Sequence, residues 1–200
     1  VAGMLGAWSL RLTAYLYRRV VGHPEEGRYR TLRANWGANA DRKLFWFFQM
    51  QAVAAWAFAG NALAVARSPE PPAAWLIAIA VATWAIGLGG AAAADLQLAA
   101  FKRDPARDGK TCRRGLWRFS RHPNYFFEWL HWCSYVPLAG ASPGWWVPVA
   151  IAGGLLYLLL FVTGIPPTER QALATRGEEY REYQRTTSAF VPWFPRRSGR

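Results

Sequence analysis

The sequence predicts an all-α fold, a multi-pass membrane helix bundle of about five transmembrane helices plus a cytoplasmic C-terminal helix. Three observations predict it. First, the charged residues, 18% of the chain, are segregated, so residues 75–94 and 145–165 run for 20 and 21 positions without a charge. At about 1.5 Å per residue, about 20 helical residues cross the roughly 30 Å hydrocarbon layer, whereas a buried soluble helix is usually shorter and has a polar face. The near-neutral mean hydropathy of −0.02 hides this segregation. Second, many of the 12 Trp, 11 Phe and 8 Tyr lie near the ends of apolar runs, among them Trp46, Trp75, Trp145 and Trp146, as in an aromatic belt at the headgroups. Third, Lys and Arg alternate between loops: seven in 18–43, one in 67–74, eight in 102–122, none in 142–144 and seven in 166–200.

Under the positive-inside rule, 18–43, 102–122 and the tail face the cytoplasm, and the two short connections face out. Five crossings satisfy every loop, with Val1 outside and Arg200 inside. The net charge of +12 is then mostly a topology signal, and no nucleic-acid partner is expected. The expected location is a multi-pass position in a membrane, most simply a bacterial inner membrane, as a single domain over 1–200.

The first segment, 1–17, carries Arg11 and has no signal-peptide pattern. It begins at Val1 without Met, so further helices upstream in the gene or an unusual start codon are expected. Segments 44–66 and 75–94 follow, the latter Ala-rich, with Asp95 at its inner end. Segments 125–141 and 145–165 form an antiparallel hairpin across the turn Ala141-Ser-Pro-Gly144. Pro166-Pro167 stops the membrane helix, and Thr168 with Gln171 reads as a capping box opening a cytoplasmic helix to about Arg185, weakened at Gly177. Residues 189–194 are apolar enough to return to the interface. Cys112 and Cys133 have no partner at metal-ligand spacing, and His131 beside Cys133 reads as a packed polar residue, so no metal site is expected. His23 carries no signal.

The residues with chemistry cluster in Arg114–Glu128. Pro123 suits the first turn of a helix, with Ser120 or His122 as cap. Asn124, Glu128, His131 and Tyr135 then follow at i, i+4, i+7 and i+11, one helical stripe. A carboxylate one turn into a membrane helix is costly unless paired or lining a polar cavity, which makes Glu128 the leading site residue. Ahead of it, 102–122 holds eight basic and two acidic residues, net +6, and the helix N-terminus adds partial positive charge. This polarity suits a dinucleotide phosphate cofactor, with Asn124 and Glu128 matched to a nicotinamide carboxamide. No G-x-G-x-x-G fingerprint is present. Plainer readings stand beside these: anionic lipid for the basic loop, a structural ion pair with Arg or His of a neighbouring helix for Glu128, an interfacial position for Asp95, and amphipathic interface residues for Tyr180 and Tyr183.

The segments Gly115-Leu-Trp, Ser120-Arg-His-Pro-Asn-Tyr125, Glu128 and Tyr180-x-x-Tyr183-x-x-x-Thr187-Ser-x-Phe-x-Pro192 make the chain resemble the bacterial steroid 5-alpha-reductase-like membrane protein family, the DUF1295 group. The wider superfamily includes sterol C14 reductases and, more distantly, isoprenylcysteine and phospholipid methyltransferases. The resemblance covers most of the chain and is strongest over 95–195. It implies an enzyme holding NADPH in a cytoplasm-facing pocket of its C-terminal half, 95–200. Asn124 and Glu128 match residues that contact the nicotinamide amide, Asp95 and Lys102 match residues that help hold the remainder, and Arg114, Arg121, His122, Tyr125, Tyr180 and Tyr183 complete the implied cofactor set. Phe127 replaces the Gly common before the Glu, and the N-terminal Tyr and Glu that act on a steroid enone have no counterpart around Trp8–Tyr17.

The expected function is NADPH-dependent reduction of an activated carbon–carbon double bond in a lipophilic, steroid-like or isoprenoid substrate that enters from the bilayer lipids. The proton donor is unassigned, with Tyr15 or Tyr17 as candidates. The alternatives are an S-adenosylmethionine-dependent lipid or isoprenylcysteine-type methyltransferase and a non-catalytic lipid-binding membrane protein. The sequence does not fix the oligomeric state.

Overall fold

The computed structural model describes residues 1–22, 27–107 and 109–196; His23, Asp108, Arg197 and Arg200 lie outside the described residues. Among the described residues the chain is helical, with no strand. Its α-helices are α1 (Ala2–Val20), α2 (Gly27–Trp36), α3 (Ala40–Ala66), α4 (Ala74–Lys102), α5 (Pro123–Cys133), α6 (Trp146–Tyr157), α7 (Ile165–Arg176) and α8 (Glu178–Thr186).

Two helical runs are long and apolar enough to cross a membrane: Ala74–Lys102, of 29 residues, and Trp146–Arg176, of 31. Only 17% and 28% of their most apolar windows are buried within the protein. That surface faces outward, which is costly in water and favourable in lipid. In the second run the apolar stretch ends at Ile165 and the first charge is Glu169, so most of α7 is the polar end of that run.

Several elements depart from the sequence expectation. The basic segment 18–43 contains α2 rather than loop alone. Helix α4 continues to Lys102, two turns beyond Asp95, which is buried in the helix body instead of marking its inner end. Helix α5 stops at Cys133, four residues before Pro137; that proline offers no N–H to the Cys133 carbonyl and its ring crowds it. The chain goes on through a short 3-10 turn, Pro137–Ala139. The predicted turn is present, with Gly144 N donating to Ser142 Oγ (3.1 Å), and α5 packs on α6 through Trp129 Nε1 and the Ala152 carbonyl (3.1 Å).

Helix α6 widens into a π-turn, Leu158–Val162, in which Thr163 N donates to Leu158 O (2.8 Å). A break at Gly164 follows, where a Cβ would lie 2.5 Å from Leu159 O. The expected capping box is not formed: α7 starts at Ile165, both prolines sit in its first turn, and the Thr168 hydroxyl donates back to Gly164 O (2.8 Å). Gly177, at φ +54°, splits the expected tail helix into α7 and α8.

The tightest packing joins α4 to α5. A Cβ on Gly87 would stand 2.5 Å from the His131 backbone nitrogen, and one on Gly90 2.4 Å from the Phe127 ring. Ala91 and Ala94 continue this buried edge. Small residues on α4 thus let the backbone of α5 come close, as in packed membrane helices.

Candidate functional site

Helix α5 opens at Pro123, whose missing N–H needs no partner there. His122 is the capping position but makes no side-chain cap, and Ser120 is not the cap either. The Ser120 hydroxyl instead accepts the His122 N–H (3.1 Å) and donates to Phe190 O (2.8 Å).

From this start Asn124, Glu128 and His131 share a face, and that face meets α4 and α1. Asn124 Nδ2 donates to Asp95 Oδ1 (3.4 Å). Trp8 Nε1 donates to Glu128 Oε1 (2.6 Å), and Arg11 Nη2 donates to Glu128 Oε2 (3.3 Å). Arg11 Nη1 lies 3.9 Å from Asp95 Oδ2. The Trp8 indole lies parallel to the His131 ring at 5.9 Å and edge-on to Trp132 at 4.9 Å. Tyr135, past the end of α5, keeps its hydroxyl 3.5 Å from His131 Nε2, and both residues are fully buried.

The cluster joins two carboxylates, one guanidinium and one carboxamide on three helices. Its hydrogen bonding is incomplete: Asn124 Oδ1, Arg11 Nε and Arg11 Nη1 are shielded and have no hydrogen-bond partner. Each such atom costs about 1–3 kcal/mol. It is not sealed, since 25% of the Glu128 side chain stays exposed. Trp8 and Arg11, which sequence reasoning did not assign to the site, come from outside the 95–200 half; a lone basic residue in an apolar helix was the available signal.

The other predicted residues lie elsewhere. Arg121 Nε donates to Glu169 Oε1 (2.7 Å) and Nη1 to the carbonyls of Gln184 (2.9 Å) and Thr187 (2.6 Å). His122 Nε2 is 3.2 Å from Glu169 Oε1, and its ring stacks on Tyr125 at 5.2 Å, whose hydroxyl is 3.3 Å from Thr168 Oγ1. Tyr183 donates to the carbonyls of Trp117 and Ser120, and Tyr180 packs with it on Ala172. Arg121, His122, Tyr125, Tyr180 and Tyr183, expected around a cofactor, here fasten α7, α8 and the tail to the start of α5. Burial pulls the Glu169 carboxyl upward, but the His122 and Arg121 hydrogen bonds, the Arg121 charge and Gln184 outweigh it and hold it at about 2.

The basic segment after α4 is partly neutralised by α8. Glu179 accepts the Thr111 N–H (3.0 Å) and hydroxyl (3.1 Å), while Arg113 reaches Glu182 Oε2 (3.4 Å) and Glu179 O (2.6 Å). Lys102, Arg107, Lys110 and Arg176 line a cleft of about 430 Å³ at the ends of α4 and α7. Within it, Arg107 pairs with Asp104 (2.7 Å) and Lys110 donates to Ala106 O (3.0 Å). Arg114 is exposed, next to Gly115, whose φ of +57° and contact with Gln97 leave no room for a Cβ. Among the described residues no three His, Cys, Asp or Glu side chains are grouped as metal ligands.

Residues 1–187 match the profile of the family described as "Protein of unknown function (DUF1295)", and the chain belongs to that family. No curated protein and no solved structure matches it.

Proposed function

We propose that this DUF1295 protein is an NADPH-dependent membrane reductase of a carbon–carbon double bond in a lipophilic, steroid-like or isoprenoid substrate, allied to the steroid 5-alpha-reductase superfamily. In this reading α1, α3, α4, α5 with its following turns, and α6 make five crossings of a bacterial inner membrane. The basic segments and the C-terminus are then cytoplasmic.

The observation that carries the reading is the buried, unpartnered Asn124 Oδ1 beside a carboxylate pair. A nicotinamide carboxamide fits that donor set. Its N–H groups find acceptors in Asn124 Oδ1 and Glu128, and Asp95 holds the Asn124 amide in the orientation that presents the oxygen. Lys102 lies seven residues beyond Asp95 on α4, about 10 Å along the helix. With Arg107, Lys110 and Arg176 it supplies the positive charge that phosphates need, and a 2′-phosphate favours NADPH over NADH. Bound there, NADPH supplies hydride; the protein's own residues bind, orient and keep water from the cluster. Trp8 would leave Glu128 as the carboxamide takes its place. Arg121 stays with Glu169 and contributes fold rather than phosphate charge.

One observation favours a second reading. Two carboxylates, Asp95 and Glu128, meet at Arg11, and such acidic groups suit the sulfonium of S-adenosylmethionine and hence a methyltransferase. Binding of each cofactor to the purified chain in nanodiscs separates them, and the remaining possibility, a non-catalytic lipid-binding protein, binds neither. NADPH is expected to bind, and Asn124→Ala to weaken it by the about 1–3 kcal/mol of an unmet buried partner, with Glu128→Gln also weakening it. Binding of S-adenosylmethionine alone, or NADPH affinity untouched by both substitutions, refutes the reductase reading.

A further inference from the structure

We infer that the C-terminal tail forms a binding site for an anionic phospholipid of the cytoplasmic leaflet, with the headgroup phosphate between Arg185 and Arg196 and the acyl chains against Trp193 and Phe194. The site shares no residue with the Arg11–Glu128 cluster. The inference goes beyond the reductase reading and needs only the membrane placement given with it.

A series of hydrogen bonds fixes the course of the tail. Arg121 N donates to Ser188 O (2.8 Å), the Ser120 hydroxyl to Phe190 O (2.8 Å), Trp193 N to Phe119 O (2.8 Å) and Arg196 N to Thr186 O (2.8 Å). Phe119, Ser120 and Arg121 come just before α5, which opens at Pro123. Phe190 reaches further along that helix. It is buried against Phe126 (5.6 Å) and Trp129 (5.8 Å), about 5–9 Å along α5 from its start. With α5 entering the membrane from the cytoplasmic side, the tail dips below the headgroups at Phe190 and is back at their level by Trp193.

On that course Val191, Trp193 and Phe194 are 53%, 70% and 77% exposed. The main-chain bonds at Trp193 and Arg196 keep the segment outstretched, and Phe194 makes an edge contact with the Phe119 ring (6.0 Å). Large apolar side chains held open in water are a liability, whereas at headgroup depth tryptophan and its apolar neighbours are favoured.

Charge decides which lipid. Between these aromatics and the end of α8 lies a hollow of about 320 Å³, lined among others by Arg185, Arg196, Thr187 and Ser188 and by no acidic residue. Arg196 is exposed. Arg185 pairs with Glu178 (2.9 Å), but the two side chains are 65% and 66% exposed, and such a pair is weak enough to yield to a better anion. Arg118, exposed and stacked over Phe119 at 6.0 Å, adds positive charge beside the tail. A phosphodiester takes charge-assisted hydrogen bonds from both guanidiniums. In a zwitterionic lipid the headgroup ammonium meets the same arginines and offsets that attraction. The hollow has room for a headgroup, and the acyl chains leave past Trp193 and Phe194, which line it and are open to the outside.

The test is native mass spectrometry of the full chain in detergent, titrated with phosphatidylglycerol or phosphatidylcholine of identical acyl chains. The unaltered protein is expected to bind phosphatidylglycerol at least about ten-fold more tightly, the scale of two arginines near an anionic surface. Arg185→Gln with Arg196→Gln is expected to remove most of that preference, and because both side chains are exposed the fold should survive. Arg30→Gln with Arg42→Gln takes the same charge from the other cytoplasmic segment and is expected to keep the preference. Trp193→Ser with Phe194→Ser is expected to weaken both lipids several-fold. Equal affinity for the two lipids, a preference that survives loss of Arg185 and Arg196, or lipid affinity untouched by loss of the two aromatics overturns the inference. An equal loss in the Arg30 and Arg42 pair also overturns it, since the attraction is then general to the basic face. So does displacement of the lipid by equimolar glycerol 3-phosphate, or a dimer in the same spectra that Trp193→Ser abolishes, which would give this surface to a second copy.

Discussion

Glu169 holds the C-terminal region to the start of α5, so replacing it with Gln should loosen the protein by an amount that depends on pH. The carboxylate accepts hydrogen bonds from Arg121 Nε (2.7 Å) and Gln184 Nε2 (2.6 Å) and contacts His122 Nε2 (3.2 Å). Its side chain is only 13% exposed and that of Arg121 11%, so screening by solvent is limited. Depression from 4.5 to about 2 corresponds to about 3 kcal/mol favouring the folded state at pH 7. A group whose carboxyl is depressed on folding contributes fully above its unfolded value and loses the contribution as pH falls toward the folded value. The Glu169 contribution is therefore complete above about pH 5, less than half by about pH 3, and gone below about 2. Thermal unfolding of the detergent-solubilised chain should place Glu169→Gln well below the unaltered protein at pH 7, with the gap narrowing steadily between pH 4.5 and pH 3. Coincident transitions at pH 7, or a gap that keeps its size at pH 3, would refute the assignment of this carboxylate as the fastening point.

Two further substitutions test packing and burial. Gly87→Ala pushes a methyl against the His131 backbone, which has no flexible side chain to yield, and should cost up to about 3 kcal/mol, the upper end for overpacking. Gly89→Ala, two residues away and meeting nothing within 4 Å, is the control; equal melting of the two variants would show that α4 and α5 are not in this contact. Cys112 is 5% exposed, and burial pushes its thiol up against the opposing pull of the Arg114 backbone and the Arg107 and Arg114 charges. Maleimide should accordingly label it slowly at pH 7.5 until the chain is unfolded, and immediate stoichiometric labelling of the folded protein would contradict its position under Phe101 and Trp117.

The helical class and the apolar runs were legible because charge segregation and helix length are one-dimensional properties. Helix ends were less so, since they depend on what a local break meets in space. Pro137 was readable as a stop, yet it lay inside the expected segment 125–141, and the π-turn before Gly164 follows from a carbonyl placement that no periodicity announces. The Ala-rich run of α4 was visible only as low complexity. Its meaning, a groove for α5 at Gly87 and Gly90, needed the facing residues. Likewise Tyr183 and Arg121 stand out in the sequence as residues of the implied cofactor set, whereas their bonds to Trp117, Ser120, Gln184 and Thr187, which tie the tail to the start of α5, follow from no spacing in the chain.

The site offered a stronger inference than the motif alone provided. Within the five apolar segments the only Lys, Arg, Asp or Glu residues are Arg11 and Glu128. Charges that must enter hydrocarbon survive there chiefly as partners, so elimination by itself pairs an N-terminal helix with the Asn124–Glu128 face. The structure makes that pair and adds Asp95 from one residue past the third segment. Pairing alone does not explain why a guanidinium with two acids beside it keeps two N–H groups unmet while a nearby amide oxygen is unmet as well. A purely structural ion pair gains by rotating to satisfy those atoms, since each costs about 1–3 kcal/mol. Those unmet atoms, where three helices meet, are the feature on which the proposed reading rests.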